Sequence, residues 1–207
     1  PQIYWKSITV NSNGKKLISN CGSYEGKNKE LVEISKSTAT QRTLTIDENS
    51  SCHYKKQNKF FLVKNGLRIL KKNIIFEEKY WKINASHDGY QKKYSTTHER
   101  EIEFYPKQFK FIGTDKILNK KLNLNIKFDV RFHLHPDVKL MKTQDNKAIL
   151  IELDNEGWKF TCDNFDINID NGLYFGNKNS YTQNQNILIS GITNNQNEEI
   201  VWQLSKI

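Results

Sequence analysis

The chain has 207 residues, with 32 Lys and Arg against 23 Asp and Glu, a net charge of +9 and a pI near 9.3. Hydrophobic residues make up only 36%, but aromatics reach 12%, enough apolar bulk for a core and against a disordered chain. No apolar run approaches the roughly 18–20 residues that a membrane-spanning helix needs, and the positive surface suits polyanions unless it merely reflects an Asn-, Lys- and Ile-rich composition.

The pattern along the chain is of short alternating runs punctuated by turn residues. Ile3–Val10 turns at Asn13-Gly14 into Lys15–Ser19. Between Glu25 and Thr40, the segment KNKELVEISKS reads at most as a short, poorly capped helix. Arg42–Asp47 carries Leu44 and Ile46 on one face. Phe60–Val63 turns at Asn65-Gly66 into Leu67–Phe76. Trp81–Ala85 leads to Asp88-Gly89, and Thr97–Tyr105 and Phe109–Gly113 follow. A long strand spans Leu122–Leu134. Ala148–Leu153 turns near Asn155–Gly157 into Trp158–Thr161. Phe165–Ile169, a polar surface loop over Asn177–Asn186, Ile187–Gly191 and Ile200–Leu204 close the chain.

Many short strands and no sustained helical periodicity predict an all-β fold of stacked antiparallel sheets, a β-sandwich with little helix, as one domain over 1–207. With Pro1 in place of an initiator Met, the chain reads as a domain cut from a longer protein. Cys21, Cys52 and Cys162 are odd in number and far apart, without metal-ligand spacing or a disulfide framework. There is no GxSxG elbow, no phosphate-binding Gly-rich loop and no nucleic-acid module signature.

Two stretches carry chemistry. In 126–135, Ile126, Phe128, Val130, Phe132 and Leu134 share one face of a strand; Lys127, Asp129, Arg131, His133 and His135 share the other. The two histidines can converge on an anion or on a metal that finds further ligands elsewhere, or they belong to a solvated polar face. A cupin-like metal enzyme would rest on this pair alone. In Ser86–Tyr105, Asp88-Gly89 is a turn signal that sets His87 and Tyr90 on either side of a bend. Beyond it, Glu99, Glu101 and Glu103 face solvent, while His98 and Arg100 share a face with Ile102 and Phe104. Charged and imidazole groups on an apolar face are costly to bury unpaired. Either that face emerges into a cleft or against another domain, or the residues form a structural Arg–carboxylate pair beside a core-edge histidine.

Taken in order, LISNCGSY, ISKSTATQRTLTIDENSS, ASHDGY, THERE, GTDKI, RFHLHPDV, EGWKF and QNILISG…VWQL resemble the C-terminal β-sandwich of heparinase II/III-like polysaccharide lyases over nearly the whole chain. The resemblance implies an N-terminal α/α toroid in the full-length protein, with the substrate cleft between toroid and sandwich. It implies β-elimination on an acidic, uronic-acid-containing polysaccharide, heparin/heparan-like or alginate-like. That chemistry requires a group that neutralises the uronate, a base for the adjacent C–H, and an acid for the leaving oxygen. It implies catalytic roles for His87, His98 and Tyr90, and substrate-binding roles for Arg100, Arg131, His133, His135 and Gln41. It further implies a bacterial cell envelope or periplasm as location.

Some family members hold a structural zinc through His and Asp. The matching positions here are Gln41 and Asn20, neutral amides that are poor zinc ligands, so no metal and no cofactor are expected. The same change admits a second reading: a non-catalytic acidic-glycan-binding or scaffold sandwich derived from a lyase.

Overall fold

The computed structural model describes residues 9–35, 44–57, 60–65, 68–120, 125–194 and 197–207. Gln41 and most of the expected Ile3–Val10 strand lie outside these residues. β1 (Val10–Ser12) and β2 (Lys15–Ile18) form a hairpin whose turn residues, Asn13 and Gly14, both have positive φ, as the Asn-Gly signal predicts. The doubtful helix is real. α1 (Lys29–Ile34) is capped by the Asn28 side chain, which accepts from the backbone N–H of Glu30 and Leu31.

The remaining elements are strands and one helical turn. β3 (Leu44–Ile46), β4 (His53–Gln57), β5 (Phe60–Asn65), β6 (Ile69–Phe76) and β7 (Trp81–His87) come first. α2 (Gln91–Tyr94) links β7 to β8 (Thr96–Tyr105), which a 3-10 turn joins to β9 (Lys110–Asn119). Then follow β10 (Lys127–His133), β11 (Lys139–Lys142), β12 (Ala148–Leu153), β13 (Glu156–Cys162), β14 (Ile167–Tyr174), β15 (Thr182–Ile192) and β16 (Asn197–Lys206). β4 and β11 have no counterpart in the sequence reading. β15 begins inside the segment read as a surface loop.

Two antiparallel sheets stack. The smaller runs β14-β15-β10-β3 and the larger β11-β12-β13-β16-β9-β8-β7-β6; β1–β2 and β4–β5 are separate ribbons. The apolar stripe on β10 faces inward, with Phe128, Val130 and Phe132 all buried. Phe132 packs against Phe160 of β13 and Trp202 of β16, at ring distances of 5.0 and 4.7 Å, and so fastens one sheet to the other. Burying a side chain of this size contributes about 1.5–3 kcal/mol.

Register places the chemistry. On the inner face of the large sheet, His87 lies opposite His98 and His98 opposite Ile117. One step along, Ala85, Arg100, Asp115 and Ile200 form the next row. Ile83, Ile102, Gly113 and Trp202 form the row after that. Pairing across antiparallel strands therefore brings residues distant in sequence onto one patch of sheet.

Candidate functional site: a buried imidazole chain

The turn after β7 sets the first imidazole. Gly89 N–H donates to Nδ1 of His87 at 3.0 Å. A side chain at Gly89 would put its Cβ 2.7 Å from the Ser51 carbonyl oxygen and 2.9 Å from that same Nδ1, so only glycine lets the backbone come this close. Because His87 Nδ1 accepts, its proton sits on Nε2 and is donated to Nδ1 of His98 at 3.1 Å. His98 in turn carries its proton on Nε2 and donates to Oδ1 of Asp115 at 2.7 Å. One backbone amide thus fixes both tautomers, and the chain of donors points from the turn into the sheet.

Asp115 anchors the chain. Arg100 Nε donates to Oδ1 at 2.7 Å and Nη2 to Oδ2 at 2.9 Å, a bidentate pair from the neighbouring strand. Trp202 Nε1 donates to Oδ2 at 3.0 Å. Trp202 reaches it by lying across β9 at Gly113, where a Cβ would stand 2.0 Å from the indole. Burial alone would push the Asp115 carboxyl up. The charge of Arg100, with the His98 and Arg100 hydrogen bonds, outweighs it and holds the carboxyl far below the usual range. Arg100 also lies over the Phe132 ring, 5.9 Å from its centroid, which ties the cluster to the small sheet.

The face that carries His98 and Arg100 does not open into a cleft among the described residues. His87, His98, Tyr90 and Arg100 are 0%, 1%, 1% and 5% exposed. The arrangement is the Arg–carboxylate pair with a core histidine, and its carboxylate is Asp115. Tyr90 closes the cluster from the turn, its ring 5.8 Å from that of His87, and its hydroxyl donates to Leu44 C=O at 2.6 Å. Burial pushes the Tyr90 hydroxyl well above the ordinary tyrosine value. Asp88-Gly89 does not make a two-residue hairpin. Asp88 instead accepts from the backbone N–H and Nε of Arg68, and α2 follows. Glu99, Glu101 and Glu103 are half-buried rather than free in solvent: Asn84 donates to Glu99 and Glu101, and Lys82 pairs with Glu101 and Glu103.

The second stretch lies elsewhere, on the outer face of the small sheet. β10 ends at His133, so His133 and His135 do not form one strand pair. His133 is buried and bonded through Nδ1 to Asn186 Oδ1 at 2.8 Å. His135 is partly exposed and packs edge-on against Tyr174 at 5.0 Å. Arg131 pairs with Asp170 at 3.2 Å. Asn184 and Asn186, read from sequence as loop residues, are buried beside them. An open depression bounded by Asp47, Glu48, Lys127, Asp129, Ser190 and Ile192 takes Lys127 and Asp129 from the polar face of this stretch, but none of the expected catalytic or substrate-binding residues.

The nearest thing to a metal donor set here is His87, His98 and Asp115. Its nitrogens and oxygens are already taken by hydrogen bonds to one another, to Gly89, Arg100 and Trp202. Such a set suits proton order better than cation binding. No group of three or more His, Cys, Asp or Glu able to hold a metal occurs among the described residues.

The profile of the family described as Heparinase II/III-like, C-terminal, matches residues 7–203. The chain belongs to that family. Among solved structures, the heparan sulfate lyase HepC from Pedobacter heparinus superposes on 93% of the chain with a TM-score of 0.73 and 14% identity. A heparinase III does so over 94%, with a TM-score of 0.72 and 14% identity. At this identity they show the shared sandwich fold. The chain spans 29% of each of those proteins. A curated relative, FtsZ-localized protein C of Caulobacter vibrioides, is 29% identical over 133 residues, which are 60% of this chain and 23% of that protein. The family thus supports a polysaccharide lyase-related domain, and the imidazole chain lies within the matched span.

Proposed function

We propose that this domain is the sandwich part of a polysaccharide lyase that cleaves uronic-acid-containing polysaccharide, heparin/heparan-like or alginate-like, by β-elimination at the cell envelope. In this reading it forms one wall of the substrate cleft, opposite an α/α toroid. The observation that carries it is the family match across nearly the whole chain, 7–203. The directed chain from Gly89 through His87 and His98 to Asp115 is compatible with it as a rigid frame that holds the 88–95 turn at the sandwich surface.

Burial changes the roles that the resemblance implied. His87, His98 and Tyr90 act as positioning residues, holding the 88–95 turn and its outward surface in place. Arg100 holds Asp115 rather than a uronate. Arg131 and His135, which retain exposed surface, are the groups of this set that can meet an acidic glycan directly. In the full-length protein, His98→Ala is expected to lower kcat by about a hundredfold, the scale of a misplaced catalytic frame, with little change in KM. Activity equal to wild type in the folded variant removes His98 from the site.

A second reading is favoured by the relative named for its localisation with FtsZ. Here the sandwich is a non-catalytic scaffold or glycan-binding domain, and the imidazole chain serves stability alone. Gln41 and Asn20, in place of zinc-ligand types, agree with it.

A further inference from the structure

Positive charge is not spread evenly along the chain. Residues 49–76 hold seven Lys and Arg and no Asp or Glu, which leaves +2 of the net +9 for the other 179 residues. An even spread would put about three acids in a stretch of this length, so a lysine-rich composition alone does not produce it. The stretch covers β4, β5 and β6. β4 and β5 pair with each other as a ribbon separate from both sheets, and β6 is the last strand of the large sheet. Three residues separate Asn65 at the end of β5 from Ile69 at the start of β6, so these two ends lie within about 14 Å of each other. Ribbon and edge therefore bring their cations to one region of the molecule.

Apolar residues are interleaved with these cations. Register sets Lys55 opposite Leu62 and Lys56 opposite Phe61, so each face of the ribbon carries a lysine across from a large apolar residue. At the start of β6 the pairing with β7 slips between Ile69 and Lys71, and Leu70 is the extra residue of the bulge. Leu70 is 54% exposed and takes no part in the core, and Arg68, Lys71 and Lys72 around it are exposed too. Arg68 and Lys71 reach Asp88 and Glu99, yet their side chains remain 85% and 55% exposed. Cations mixed with outward apolar side chains match the chemistry of an anionic lipid surface, whose phosphates attract the charges while the apolar groups enter the boundary beneath the headgroups. An acidic polysaccharide fits less well. Six of the seven cations are Lys, whereas bidentate recognition of carboxylate or sulfate favours the planar Arg fork, and an exposed leucine adds nothing to it.

We propose that residues 53–72, the β4–β5 ribbon with the start of β6, dock this domain on an anionic lipid surface. Docking needs no catalysis, so the inference stands apart from the lyase reading. Flotation of the full-length protein with unilamellar vesicles tests it. Wild type is expected to float with vesicles of one part phosphatidylglycerol to two parts phosphatidylcholine, less so at high salt, and not with phosphatidylcholine alone. Each lysine near such a surface is worth about a fivefold partition, so Lys55→Gln, Lys56→Gln and Lys72→Gln together are expected to weaken binding on the order of a hundredfold. Leu70→Ser, at an exposed position, is expected to weaken it about fivefold with an unchanged circular dichroism spectrum. No flotation with the anionic vesicles overturns the proposal, and so does a folded Leu70→Ser protein that binds them as tightly as wild type. Wild-type protein retained by immobilised alginate but not by the vesicles also overturns it, and would assign the charge to a glycan.

Discussion

Asp115 is the residue on which the cluster depends, and it was not among the sequence candidates. GTDKI was visible as a family segment, but its aspartate carried no flag. The physical signal was there. Alternation sets Asp115 on the same face as Gly113 and Ile117, an acid on an apolar face like His98 and Arg100 before it. What sequence alone lacks is the register that lays Arg100 opposite Asp115. Asp115→Asn leaves Arg100 buried against a neutral amide and is expected to cost about 3–5 kcal/mol, read from chemical denaturation midpoints. The folded-state carboxyl lies below its unfolded value, so its stabilisation is complete above the unfolded pKa of about 3.9. It is lost as pH falls toward the folded value. The gap between wild type and variant should therefore stay constant from neutral pH down to about 4 and narrow only below that. A gap that closes already near pH 6 would mean that Asp115 is not held ionised by Arg100.

At the scale of elements, alternation and turn residues located most strands, because one face of each is buried and the other is not. The misses have local causes. Polarity is misleading in TQNQN: residues 182–186 read as a loop, yet β15 buries Asn184 and Asn186 by bonding them to Leu134 C=O and His133. The Asp-Gly signal gave a bend but not its form, since Asp88 is claimed by Arg68 and the chain continues into α2. The pairing of β9 with β16 turns on Gly113, whose missing side chain admits Trp202. Gly113→Ala is expected to displace the indole, break its bond to Asp115 and destabilise the domain by about 1–3 kcal/mol, as overpacking does. A shift in tryptophan fluorescence should accompany the loss. A variant as stable as wild type with unchanged fluorescence would show that the indole does not need that space.

For the whole molecule, two stacked sheets and the family segments in order were legible from the chain. Which residues face a substrate was not, because burial is a property of the packed sheets: the same His98 and Arg100 pattern serves an open cleft or a closed core. The closed arrangement makes the sandwich a rigid support for the 88–95 turn, with the polar outer face of β10 and β14 as a separate surface. Lyase and scaffold readings share this frame and differ only in chemistry. β-Elimination on a uronate leaves a conjugated double bond, so the full-length protein, incubated with heparan-type and alginate-type polysaccharides, reports directly through ultraviolet absorbance of the unsaturated product. The lyase reading predicts a steady rise with one of these acidic glycans and none with a neutral one; a folded full-length protein that yields no unsaturated product from any acidic glycan would contradict it.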